Sequence, residues 1–319
     1  MSTSSRAIVK VGGQSVKVGS DSWRGLVASF VATQDVRESS RTLYNRTLCQ
    51  YFNWLSKTGR LERFFTLTRQ DVLEYKDSLL EAGLSALTVS SYIVSVRKFY
   101  EWAEAEKAYP NIAKGIKTPR RKQAFKKQHL TDEKSKELLQ HFHDTSLRDY
   151  AIVNLMLRTG LRTIEVVRAN VGDITFKGDK RVLLVWGKGH SEKDDLVVLT
   201  EKAYEPIKEY LATRKAVKAG EPLFTSNSRQ NFGERLTTKT ISSLCKEGLR
   251  AIGLDGREYT AHSLRHSTAV AILKHGGNIV DVQEVLRHSS IDTSQIYTES
   301  VKEELRLENA PESVLDEAF

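Results

Sequence analysis

A chain of 319 residues with 39% hydrophobic content is long enough for two domains, each with its own buried core. No apolar run approaches the ~20 residues of a membrane span, and the first eighteen residues lack the apolar stretch of a secretory signal. A membrane partner is therefore not expected, and the predicted location is cytoplasmic and nucleoid-associated. The net charge of +9 points instead to a polyanion such as nucleic acid.

Residues 1–20 read as an N-terminal extension; VKVGGQSVKV is either a weak hairpin around Gly12 and Gly13 or unstructured. Residues 21–113 predict a helical domain. Its four helices are expected near Ser22–Ala32, over Ser40–Ser56, from Thr68 to about Gly83 and from Ser85 to about Ala108. Leu43, Tyr44, Leu48, Tyr51, Phe52 and Leu55 recur at helical spacing in the second. Thr68 with Asp71 three residues on is a cap signal for the third. Residues 114–129, KGIKTPRRKQAFKKQH, hold seven basic and no acidic side chains. They read as a linker in which Lys114, Lys117, Arg120, Arg121, Lys122, Lys126 and Lys127 contact DNA phosphates.

Residues 130–298 predict a second, α-rich domain with a small β-sheet. Helices are expected from Thr131 to about Phe142, from Ser146 to Gly160, and at about 202–218, 238–252, 262–275 and 279–287. Two β-rich runs, 181–186 and 196–200, suggest a hairpin with a long connection. All five prolines (Pro110, Pro119, Pro206, Pro222, Pro311) are expected in a loop, a linker or a first helical turn. Cys49 and Cys245, far apart and without a metal-like neighbour, read as buried thiols in a reducing compartment. Residues 299–319 carry a net −5. This acidic tail ends in a short apolar stripe (Val314, Leu315, Ala318, Phe319) that either packs on its own chain or docks on a neighbouring subunit.

The chemistry-bearing residues lie in the second domain: Arg162, Glu165, Lys188, His262, Arg265, His288 and Tyr297. Arg162 with Glu165, and His262 with Arg265, are three apart and share a helical face. Two planar guanidiniums suit the non-bridging oxygens of a pentavalent phosphorus. A tyrosine, with a pKa of ~10, is a nucleophile that can also leave again. The departing 5′-oxygen needs a proton, which a lysine on a hairpin tip can deliver. No Asp/Glu cluster suited to two metals accompanies these residues, so metal-assisted hydrolysis is not expected.

TGLRTIEV, GKG after a strand, HSLRHSTA and LRHSS…IYT together resemble the tyrosine recombinase (phage integrase) family. The resemblance implies a helical SAM-like core-binding domain and an α-rich catalytic domain closing as a C-shaped clamp on DNA. It also implies cleavage through a 3′-phosphotyrosine, strand exchange in a homotetramer on a double-stranded recombination site, and no cofactor. By motif position, Arg162 and Arg265 would clamp the scissile phosphate, Lys188 would be the general acid and His262 a proton acceptor or hydrogen-bond donor. His288 would bond a non-bridging oxygen, Tyr297 would be the nucleophile, and Glu165 would support the site. The type is a simple two-domain one, Xer-like or encoded by a mobile element, to which an accessory directionality factor can be added.

Two departures stand out. The family commonly has glycine before the second histidine, where this chain has Arg287. Asp194 and Asp195 stand where a basic residue is common, and Lys193 rivals Lys188. His266 reads as structural and His190 as a DNA contact. The competing functions are a type IB topoisomerase-like enzyme, which shares the chemistry, and a non-enzymatic DNA-binding protein.

Overall fold

The structure, a computed structural model, describes residues 23–119, 128–186, 193–288, 290, 291, 297 and 301, and the backbone of 7–11 and 14–18. The chain divides into two compact units, with the boundary after Ala124.

In the first unit, β1 (Ala7–Val11) and β2 (Gln14–Val18) pair antiparallel, with Val11 opposite Gln14. Four helices follow: α1 (Trp23–Thr33), α2 (Glu38–Lys57), α3 (Arg69–Glu81) and α4 (Ala86–Ala105). Their starts follow from local chemistry. Thr68 and Asp71 form a capping box on α3, and the Ser85 hydroxyl accepts the Thr88 N–H at the head of α4. The apolar faces meet in an aromatic core in which Trp23 stacks on Phe52 at 5.3 Å and Phe52 meets Phe99 edge-on at 5.4 Å. Within it the hydroxyls of Tyr51 and Tyr100 bond each other at 2.9 Å, so neither is buried unsatisfied. A short 3-10 segment, Leu61–Thr66, links α2 to α3 and brings Arg60 and Arg63 onto Asp71. Burial alone would raise the Asp71 carboxyl. The Thr68 N–H and the two guanidiniums outweigh it and hold the group down to about 2.

The second unit opens with α5 (Asp132–Thr145) and α6 (Leu147–Thr159), capped by Thr131 and Ser146. Then come α7 (Thr163–Arg168) and a three-stranded antiparallel sheet of β3 (Ile174–Lys177), β4 (Lys180–Val185) and β5 (Asp195–Val198), in that order. The helices α8 (Glu201–Ala212), α9 (Thr238–Ala251), α10 (Ala261–Lys274) and α11 (Ile279–Leu286) complete it. Six successive residues of α6, Ala151 to Met156, are buried, because α5, α8 and α10 pack around it. Among the described residues, no helix is long and apolar enough to cross a membrane.

Two expectations need correction. Pro206 lies in the second turn of α8, past the first turn. Its missing N–H frees the Lys202 carbonyl, and the buried Asn154 side-chain amide donates to that oxygen at 2.9 Å. Cys49 is half-buried rather than buried, whereas Cys245 is fully enclosed and its thiol is pushed up to about 12 by burial. The sheet also holds a strand that the sequence does not signal: Ile174–Lys177 lies at its edge, paired with β4 from Ile174↔Leu183 to Lys177↔Lys180.

Candidate active site

The site starts where α6 stops. Gly160 adopts φ +61, ψ 21 and ends the helix, and a Cβ there would lie 2.4 Å from Leu286 Cδ2. Only glycine permits both the left-handed turn and the close approach of α11. The turn delivers Arg162 to the head of α7. There the Arg162 main-chain N–H donates to Glu165 Oε2 at 2.7 Å, and its guanidinium donates to Oε1 at 2.7 Å. The Glu165 side chain is 7% exposed and that of Arg162 26%, so the arginine is the more accessible of the pair.

Arg265 comes from the buried side of α10. Its guanidinium donates to the carbonyls of Gly160 and Leu286, the last turns of α6 and α11. Two negative helix ends therefore hold a cation that burial would otherwise expel. Burial, with the nearby Arg162 charge, lowers its pKa to about 10, so it stays charged at neutral pH. His262 lies three residues earlier on α10, at an exposed position in the first turn.

α11 is capped by Asn278, whose side chain accepts from Val280 and Asp281 N–H groups, and ends at Arg287 in the left-handed region (φ 53, ψ 52). His288 N–H then bonds Gln283 O at 3.0 Å, which fixes where the imidazole starts. Burial, and then the charges of Arg265, Arg162 and Arg287, depress the His288 pKa to about 4. Tyr297 lies between two imidazoles, with centroids 5.1 Å from His266 and 6.3 Å from His288, the latter pair nearly parallel. Its ring packs with Ala269, Val270, Val282, Leu286 and Val301. Burial raises the phenol pKa, while Arg265 and Arg162 pull it the other way.

Six side chains thus gather: Arg162, Glu165, Arg265, Arg287, His288 and Tyr297. Such a cluster of guanidiniums has the charge to receive a phosphate, and the Tyr297 phenol sits within the field of Arg265 and Arg162. Lys188, His190 and the linker residues Arg120, Arg121, Lys122, Lys126 and Lys127 lie outside the described residues. Lys114 and Lys117 are exposed at the end of the first unit. Lys193 is bonded to the Asp173 carboxylate. Sequence alone assigns no role here to three residues, His266, Arg287 and Asp195. His266 sits one turn beyond His262 on α10, a spacing that is the available signal. Arg287 and Asp195, separate departures from the family pattern in sequence, lie 3.4 Å apart as an ion pair.

Residues 128–304 match the model of the phage integrase family, and residues 29–107 match that of the phage integrase N-terminal SAM-like domain. Tyrosine recombinase XerC of Caldanaerobacter subterraneus subsp. tengcongensis is 34% identical over 223 residues, 67% of this chain and 59% of that protein. Tyrosine recombinase XerA of Pyrococcus furiosus is 30% identical over 260 residues, 82% of this chain and 85% of that protein. The fold is similar to that of the XerH site-specific recombinase bound to palindromic difH substrate in a post-cleavage complex. The TM-score there is 0.71 at 23% identity, covering 90% of this chain and 83% of the other. With more than half of its length matched, and that match spanning the arginines, histidines and tyrosine just described, the chain belongs to the phage integrase family, the tyrosine recombinases.

Proposed function

We propose that this protein is a site-specific DNA recombinase that cleaves and rejoins strands through a 3′-phosphotyrosine at Tyr297. The observation that carries the proposal is the Tyr297 phenol lying in the field of Arg162 and Arg265 beside His288. In the forward step the phenol oxygen bonds to phosphorus and the bond from phosphorus to O5′ breaks. The phenol proton passes to His262, and Lys188 protonates the departing O5′. Rejoining is the reverse, with the 5′-hydroxyl of the partner strand attacking and the phenol leaving. Arg162 and Arg265 meet the non-bridging oxygens, His288 bonds one of them, and Glu165 holds Arg162. The Lys193–Asp173 bond supports Lys188, rather than Lys193, as the general acid. One phosphodiester is exchanged for another of similar energy, so the scheme calls for neither metal nor ATP.

Residues 21–113 act as the core-binding domain and 130–298 as the catalytic domain, with the basic linker 114–129 contacting DNA phosphates. The acidic tail 299–319 docks on the next subunit of a homotetramer, to which a directionality factor can attach. The +9 charge and the XerH complex with its difH substrate support a DNA partner.

The test is a nicked suicide duplex carrying the site selected by this protein from random DNA. Wild type should form a covalent adduct on the 3′ side of the cut. Tyr297→Phe should form none while binding the same duplex. An adduct on the 5′ side, or one surviving Tyr297→Phe, overturns the assignment. Relaxation of plasmids lacking the site, with no recombinant product, overturns site specificity.

A further inference from the structure

Arg287 stands at φ +53, a conformation that strains an L side chain and suits glycine. The side chain held there is 8% exposed. Its Nη2 donates to Glu165 Oε2 at 2.7 Å, and its Nη1 donates to Val285 O at 3.0 Å. Its Nε lies 3.4 Å from Asp195 Oδ2 and, among the described residues, makes no hydrogen bond. Asp195 opens β5 directly opposite Val185, the last residue of β4. Lys188 lies in sequence between those two strands. Glu165 in turn bonds Arg162 through its other oxygen. Four alternating charges therefore run Arg162–Glu165–Arg287–Asp195, from the phosphate seat to the base of the β4–β5 hairpin. Two of the three residues by which this chain departs from its family's pattern, Arg287 and Asp195, are partners in that run.

We infer that Arg287 is a positioning residue for strand cleavage, a clasp that, with Asp195, registers the β4–β5 hairpin against the Arg162–Glu165 pair. An arriving phosphate draws the Arg162 guanidinium toward itself. Glu165, gripped on its second oxygen by Arg287, resists that pull and keeps the guanidinium plane aimed. The Arg287 guanidinium ties the start of β5 to Glu165 through Asp195. A ground-state displacement of this kind acts on the rate of the chemical step and not on affinity, since alignment of the reacting groups is what changes.

The inference rests on the recombinase reading, and the test separates the two. Single-turnover adduct formation is measured at saturating suicide duplex for wild type, Arg287→Gly, Arg287→Lys, Asp195→Asn and the Arg287→Gly/Asp195→Asn double variant. Duplex affinity is measured beside it over a salt series, and thermal melting reports folding. Arg287→Gly and Asp195→Asn should each slow cleavage by about tenfold or more, with affinity within about threefold of wild type. The double variant should be no slower than the slower single one, because both changes break one link. Arg287→Lys should recover part of the rate, since a lysine carries the charge without the planar fork. Asp195→Asn, isosteric and one-third exposed, keeps the test available if the glycine variant melts early. Wild-type cleavage in Asp195→Asn, or fully multiplicative effects, overturns the clasp. A loss confined to affinity, with a salt slope reduced by about one, overturns it in favour of a direct phosphate contact. Failure of the wild type to form any adduct refutes the recombinase reading itself.

Discussion

The imidazole of His288 and the phenol of Tyr297 lie 11° from parallel, with 6.3 Å between their centroids. Burial, reinforced by Arg265, Arg162 and Arg287, holds that imidazole near a pKa of about 4. It is therefore neutral at pH 7 and adds no fourth positive charge to the pocket. An unfolded histidine titrates near ~6.5. Between about pH 6.5 and 4 the unfolded chain takes up a proton that the native site refuses, so stability falls as pH falls through that window. His288→Gln removes this contribution. Its melting temperature should decline less than that of the wild type between pH 6.5 and 4.5. Parallel declines would mean that the ring is not held neutral.

Gly160 carries a second prediction. Its φ of +61 and the 2.4 Å approach of Leu286 Cδ2 to a built Cβ act together. Gly178, in the β3–β4 turn, has the same φ with nothing within 4 Å. Gly178→Ala should cost about 1 kcal/mol, the left-handed strain alone. Gly160→Ala should cost about 3 kcal/mol, because overpacking is added. It should also slow cleavage, since the carbonyls of Gly160 and Leu286 both anchor Arg265 and the clash drives them apart. Equal melting temperatures for the two variants would show that α6 and α11 do not meet as described.

What the sequence revealed was local, and what it hid was not. Thr68 with Asp71, Ser85, Thr131 and Ser146 cap helices because a side-chain oxygen reaches an N–H two or three residues on. Arg162 and Glu165 pair for a similar reason of spacing. β3 leaves no sequence signal because a four-residue edge strand, mostly exposed, has no pattern of its own and is defined by β4. The place of His266 against Tyr297 depends on how α10 meets the chain after α11. The Arg287–Asp195 pair crosses from a helix end to a strand, so each residue alone read as an anomaly.

Pro206 shows the same limit and supplies the last prediction. A proline in the second turn of a helix removes the N–H that would bond the carbonyl four residues back. Here that carbonyl, Lys202 O, accepts from Asn154 Nδ2 at 2.9 Å, while Asn154 Oδ1 accepts from Arg158 Nε at 2.8 Å. Asn154 is 1% exposed, so water does not replace it easily. Asn154→Leu should cost about 1–3 kcal/mol by leaving a buried carbonyl unpaired. Pro206→Ala restores a backbone N–H at the position that can serve Lys202 O. In that background Asn154→Leu should cost about 1 kcal/mol less, a coupling readable in a double-mutant cycle of urea midpoints. If the asparagine change costs the same with and without the proline, the amide is packing against α8 rather than standing in for its missing donor.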